Sequence, residues 1–175
     1  VNLATLLAIV QSIDQKTFVD RFPHPMLVVR KGGNDPGAAP FEKELDWKVT
    51  KASPFATATG LPRGPKPTVS SVEPLVKTNR NPFAGMITVG RAPNNDVCLP
   101  VGSVSKLHAY FQEQGKKWFV RDGTSANGTF VDGQKLVPEK AVELADGAHL
   151  AFGPDTECLF KLPAALYAFL KALPR

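Results

Sequence analysis

From Val69 to Leu162 the chain is a succession of short apolar runs, each closed within a few residues by a turn signal. The runs are Ser71–Val76, Met86–Val89, Val97–Leu99, Ala109–Glu113, Trp118–Arg121, Thr129–Val131, Val142–Leu144, His149–Phe152 and Cys158–Leu162. Asn79-Arg80-Asn81-Pro82, Pro93-Asn94-Asn95-Asp96, Gln114-Gly115-Lys116, Asp132-Gly133 and Asp146-Gly147 separate them. Glycine and asparagine accept positive φ and proline fixes its own, so the backbone reverses where they cluster. Many short strands at such spacing predict an antiparallel β-sandwich or barrel. Pro74 cannot donate to a ladder and places its strand at an edge. Sixteen prolines and fourteen glycines suit this architecture better than a helical bundle.

The flanks read differently. Leu3, Leu6, Leu7, Val10 and Ile13 follow the spacing of one helix face. The pattern predicts one helix continuing towards Phe18-Val19 and ending before Pro23. Met26–Arg30 is a short buried strand, broken by the turn-rich Lys31-Gly32-Gly33-Asn34-Asp35-Pro36-Gly37. From Pro40 to Thr68 the prolines point to a loop, an extended linker or an interaction tail, with a strand around Trp47-Lys48-Val49. Ala164–Lys171 is a second helix, with Leu166, Phe169 and Leu170 on one face. The expected division is a helical extension over 1–22, a mainly β sandwich over 23–162 with an insertion at about 31–68, and a C-terminal helix over 163–175.

The formal charge of 21 − 16 = +5 suits a phosphorylated partner, a nucleic acid or an acidic surface without choosing among them. No apolar run reaches the roughly 18 residues of a membrane span. The opening Val1–Val10 lacks the basic start and cleavage site of a signal peptide, and the missing initial Met suggests numbering that starts inside a longer chain or after trimming. Cys98 and Cys158 read as buried free thiols, which points to a reducing, cytoplasmic setting, although they have room to meet across a sheet.

The polar residues between the runs carry the chemistry. Arg91, after Gly90 at a strand end, offers a planar donor fork matched to phosphate or carboxylate. Ser105, within Gly102-Ser103-Val104-Ser105-Lys106-Leu107-His108, can present a hydroxyl and a backbone N–H to an anion, with Lys106 adding charge. His108 reads as a strut that hydrogen-bonds neighbouring backbone, since no carboxylate orienter accompanies it for catalysis. Asn127-Gly128 is a tight turn whose amide can grip a peptide main chain by donating and accepting together. Read singly, each is a surface arginine, a turn cap or a hairpin.

In this order and spacing they resemble the forkhead-associated (FHA) domain. The matching residues are Gly90-Arg91, Ser105-Lys106-Leu107-His108, Ser125-Ala126-Asn127-Gly128-Thr129-Phe130 and Asp132-Gly133. Asn95-Asp96-Val97, Leu144-Ala145-Asp146-Gly147 and Phe152-Gly153 support them, so the motif core runs from Ile87 to Gly153. The resemblance implies a sandwich of about eleven strands that reads phosphothreonine peptides through loops at one end. It further implies Arg91, Ser105, Lys106 and Asn127 as ligand contacts, Ser103 at the margin, and Gly90, His108 and Gly128 as supports of loop shape. Ser103 and Ala126 depart from residues common in the family, which bears on sequence preference around the phosphothreonine.

The resulting expectation is a phosphothreonine-reading adaptor, cytoplasmic, without catalytic residues, cofactor or metal. Its partner would be a phosphothreonine-containing protein, either a substrate of a Ser/Thr kinase or the kinase itself. The alternative is a phosphorylation-independent scaffold using the same fold or the terminal helices. Nucleic-acid binding finds no zinc-ligand spacing or RNA-binding aromatic motif, and the basic residues are scattered.

Overall fold

A computed structural model describes residues 2–31 and 68–173. Within them the elements run α1 (Leu3–Ser12), α2 (Gln15–Arg21), β1 (Met26–Lys31), β2 (Thr68–Pro74), β3 (Ile87–Gly90), β4 (Val97–Cys98), β5 (Ala109–Gln114), β6 (Lys117–Asp122), β7 (Thr129–Val131), β8 (Gln134–Lys135), β9 (Val142–Leu144), β10 (His149–Phe152), β11 (Thr156–Lys161) and α3 (Pro163–Lys171). The strand expected at Trp47-Lys48-Val49 lies outside the described residues.

The strands form two sheets, ordered β2-β1-β11-β10-β7-β8 and β4-β3-β5-β6-β9. The pairings are antiparallel except β3 with β4, which run parallel through Val89↔Val97 and Gly90↔Cys98. The loop from Arg91 to Asp96 carries the chain back along β3 to make that pairing, which corrects a purely antiparallel reading. Pro74 closes the edge strand β2. Strand β8 escaped the sequence reading because it has only two residues. Asp132 and Gly133, at φ 48 and 80, make the tight turn that fixes it against β7.

Period-two alternation divides the apolar side chains between two cores. Leu27 and Val29 of β1 and Cys158 and Phe160 of β11 meet Val89, Phe111, Trp118 and Val120 of the opposite sheet. Met26, Val28 and Leu159, on the other face of the same strands, meet Leu6, Val10, Phe18, Leu166 and Leu170 of the helices. Strands covered on both faces read as unbroken apolar runs, which is why Met26–Val29 does not alternate with polar residues. Burying each such side chain contributes about 1.5–3 kcal/mol.

The expected single N-terminal helix is two. Ile13 is extended at φ −128 and ψ 161, and the Asp14 carboxylate accepts from the Thr17 N–H at 2.8 Å, capping α2. An aspartate that satisfies an otherwise orphaned amide favours a new helix start over continuation. The helices then close on one another: Gln15 Nε2 donates to the Ala164 carbonyl (3.1 Å), the Tyr167 hydroxyl to the Ile13 carbonyl (3.0 Å) and Lys171 Nζ to the Val10 carbonyl (3.2 Å). The lysine thereby places a cation at the electronegative end of α1. The described residues therefore form three layers: helices, six-stranded sheet, five-stranded sheet.

Cys98 is half-buried on β4 and Cys158 buried on β11, in different sheets, and both are free thiols. Burial pushes the Cys158 thiol far above its ordinary range. Among the described residues no helix is long and apolar enough to cross a membrane.

Candidate functional site

Three loops gather at one end of the sandwich: 91–96 after β3, 99–108 after β4 and 123–128 after β6. Their close approach begins at Gly90. A Cβ there would lie 2.8 Å from Asn95 Nδ2 and closer still to the Lys106 carbonyl, so no larger residue fits without moving the backbone. Across this contact Arg91 N donates to the Ser105 carbonyl (2.8 Å) and Ala92 N to the Lys106 carbonyl (3.1 Å). Asn95 Nδ2 ties the same loops, donating to Ala92 O at 2.8 Å and Lys106 O at 2.6 Å.

The Arg91 side chain is exposed but anchored: its Nε donates to the Val104 carbonyl at 3.1 Å. Among the described residues its two terminal nitrogens have no partner, so half of the guanidinium orients the group and the other half is presented outward.

His108 is wholly buried beneath these loops. Its Nδ1 accepts from Ser105 N at 3.0 Å, which leaves Nε2 protonated to donate to the Gly128 carbonyl at 3.1 Å. Both nitrogens are thus used by backbone, and the contact with Ser105 is to its amide, not its hydroxyl. Burial holds the imidazole below its ordinary pKa, against the smaller opposing effects of the Gly128 carbonyl and Asp122. The ring packs edge-on against Phe152, with centroids 5.6 Å apart.

A second support lies under loop 123–128. Asp122 follows Trp118 and Val120 in the inward series of β6 and is only 2 % exposed. A carboxylate on a core-facing position needs donors. Ser125 Oγ (2.6 Å), Ser125 N (3.1 Å) and Thr129 Oγ1 (2.7 Å) supply them. Ser125 Oγ in turn accepts from Gly128 N at 3.0 Å, drawing the turn closed. Thr124, at φ 60, is a non-glycine residue in the left-handed region within this turn. The sequence reading passed over Asp122 and took Asn95 only as part of a motif, and the break in β6's apolar alternation was the available signal for Asp122.

The structure brings Arg91, Ser103, Ser105, Lys106 and Asn127 to this one end. Arg91, Lys106 and Asn127 are exposed, and Ser103 and Ser105 are half-buried. Ser105 Oγ accepts from Ala126 N at 3.0 Å, which positions the hydroxyl and leaves its proton uncommitted among the described residues. Asn127 Nδ2 donates to the Ser103 carbonyl at 2.7 Å, bridging two loops. Gly153 permits that bridge, since a Cβ on it would sit 2.9 Å from Ser103 O and 3.4 Å from Asn127 Cβ. Gly128, at φ +85, completes the turn. The assembled face offers an arginine fork, a serine proton, a lysine and an amide oxygen at one end of the sandwich. Among the described residues no group of three His, Cys, Asp or Glu is placed to hold a metal ion.

Known proteins resemble this chain in sequence and fold. The family model for the FHA domain matches residues 87–153. The glycogen accumulation regulator GarA of Mycolicibacterium smegmatis is 30 % identical over 125 residues, spanning 66 % of this chain and 72 % of GarA. The transcriptional regulatory protein EmbR of Mycobacterium tuberculosis is 31 % identical over 84 residues, 48 % of this chain, and the match spans only 21 % of EmbR's own length. The solved structure of full-length yeast Pml1p superposes with a TM-score of 0.50 at 17 % identity, covering 85 % of this chain and 93 % of Pml1p, a likeness of fold alone. With the motif core, the paired sheets and the extent of the GarA match in agreement, this chain belongs to the forkhead-associated domain family.

Proposed function

We propose that this chain docks partner proteins phosphorylated on threonine and acts as an adaptor with no catalytic step of its own. The observation that carries the reading is the Arg91 guanidinium, pinned through Nε with its outer nitrogens unpartnered, at the same loop face as the uncommitted Ser105 proton. Phosphothreonine brings about −1.5 to −2 charges and three acceptor oxygens, which such a pair of donors satisfies. In this reading Arg91 pairs with the phosphate and Ser105 donates to a phosphate oxygen. Lys106 adds charge beside it, Asn127 holds the peptide main chain, and Ser103 borders the site. Gly90, His108 and Gly128 set the loop shapes. The partner is a substrate of a Ser/Thr kinase or the kinase itself, and the setting is cytoplasmic.

Hydrogen bonds to charged groups contribute about 1.5–3 kcal/mol each, so Arg91→Ala should weaken binding about tenfold to a hundredfold or more. Calorimetric titration of a phosphothreonine peptide library, with unphosphorylated and phosphoserine peptides as controls, measures this directly. Equal affinity of the native chain and Arg91→Ala would remove the reading, as would binding that survives phosphatase treatment of the partner.

A further inference from the structure

Lys135 lies on β8, the outermost strand of the six-stranded sheet, opposite Phe130 of β7. Its side chain does not project freely from that edge but lies back over Gly128. A Cβ on Gly128 would be 2.5 Å from Lys135 Cε, 3.4 Å from Cδ and 3.3 Å from Nζ. The aliphatic stem thus covers the glycine, which is buried, while the lysine itself is exposed. The ammonium lies beside Gly128.

The ion pairs among the described residues engage Arg30, Lys77, Lys117 and Lys161. Lys135 is in none of them and makes no hydrogen bond to a described residue. A lysine stem laid along a surface keeps its charged head in water, where an external charge can reach it. Arg91 follows β3 of the five-stranded sheet, whereas Lys135 belongs to the six-stranded sheet. Asn127 is joined to Ser103 of the 99–108 loop and directly precedes Gly128, which Lys135 covers. A peptide held by Asn127 with its phosphate at Arg91 extends towards Lys135 through a flanking residue, not through the phosphate.

From this placement we infer that Lys135 is a specificity-determining residue that selects peptides carrying an acidic side chain beside the phosphothreonine. The inference rests on the phosphothreonine reading above and adds a second, separate contact to it. Exposed ion pairs contribute at most about 1 kcal/mol, so the expected preference is about twofold to fivefold and falls with added salt.

The test is calorimetric titration of two phosphothreonine peptides, one with aspartates at the flanking positions and one with alanines there. Native chain, Lys135→Met and Lys135→Glu are compared after thermal melting has established that all three fold. Lys135→Met keeps an apolar stem over Gly128 and should lose the preference for the acidic peptide while binding the alanine peptide as before. Lys135→Glu should invert the preference. If the native chain binds both peptides equally, or if Lys135→Met keeps the preference or weakens both peptides to the same degree, the inference falls while phosphothreonine reading stands. If the native chain binds these peptides no better than their unphosphorylated counterparts, both readings fall together.

Discussion

Two buried aspartates divide the labour of this sandwich. Asp96, 7 % exposed, gathers the segment after β2 onto the edge of the five-stranded sheet. It accepts from Thr78 N (2.6 Å), Thr78 Oγ1 (2.8 Å), Asn81 Nδ2 (2.5 Å) and Thr88 N (2.8 Å). Asp122 gathers the recognition turn through Ser125 and Thr129. The donors differ in kind. Besides the Thr78 hydroxyl and the Asn81 amide, Asp96 answers two backbone amides from separate segments, which cannot turn to another acceptor, whereas Asp122 answers one backbone amide and two hydroxyls that can rotate. The same side chain therefore serves chain connection in one place and loop shape in the other.

That contrast predicts unequal outcomes. Asp96→Ala strands donors from two segments and should destabilise the fold by about 3–5 kcal/mol. Urea unfolding measures that loss, and phosphopeptide affinity under folded conditions should fall less than in Asp122→Ala. Asp122→Ala should lower stability less, by about 2–3 kcal/mol, because its hydroxyl partners can reorient. It should weaken phosphopeptide binding as the turn bearing Asn127 loosens. Equal losses of affinity in the two variants would erase the distinction. The smallest effect is that of pH. Burial raises Asp96, but the hydrogen bonds from Asn81, Thr88 and Thr78 outweigh it and hold the carboxyl below its ordinary 3.8. Its stabilisation is present above that value and is lost as pH falls through the lower folded one.

His108 acts in a higher window. Its folded pKa lies below the ordinary 6.5 because burial disfavours the imidazolium. The unfolded chain therefore takes up the proton first, and stability declines as pH drops below about 6.5. Unfolding curves between neutral and mildly acidic pH should show this decline in the native chain and a smaller one in His108→Gln.

Most of the sandwich was legible because its turns are written in residues with few other uses. Asp132-Gly133 and Asp146-Gly147 mark reversals wherever they occur, so Thr129–Val131, Val142–Leu144 and His149–Phe152 were bounded to the residue. Helical periodicity was a weaker guide. It continues across Ile13 into Phe18, and only the cap formed by Asp14 reveals the break. The residues facing outward at the candidate site stood out by their charge and spacing. The layer beneath them did not, because Asn95 sits in a turn where such residues are common, and Asp122 ends β6 directly before one, so that each reads as turn chemistry. Nor could period alone show that Met26, Val28 and Leu159 would be met by helices, since a doubly covered strand and a buried helix segment look alike over so short a run.

The bond from Lys171 to Val10 joins residues 161 positions apart. During synthesis α1 therefore emerges long before its partner, with Leu6 and Val10 lacking the leucines of α3 that later cover them. The helical layer can be completed only after β11 has been made, and its closure depends on loop formation across those 161 positions. A nascent chain halted before Pro163 should expose the outer face of the six-stranded sheet to chaperones even when the strands and the recognition loops have already formed.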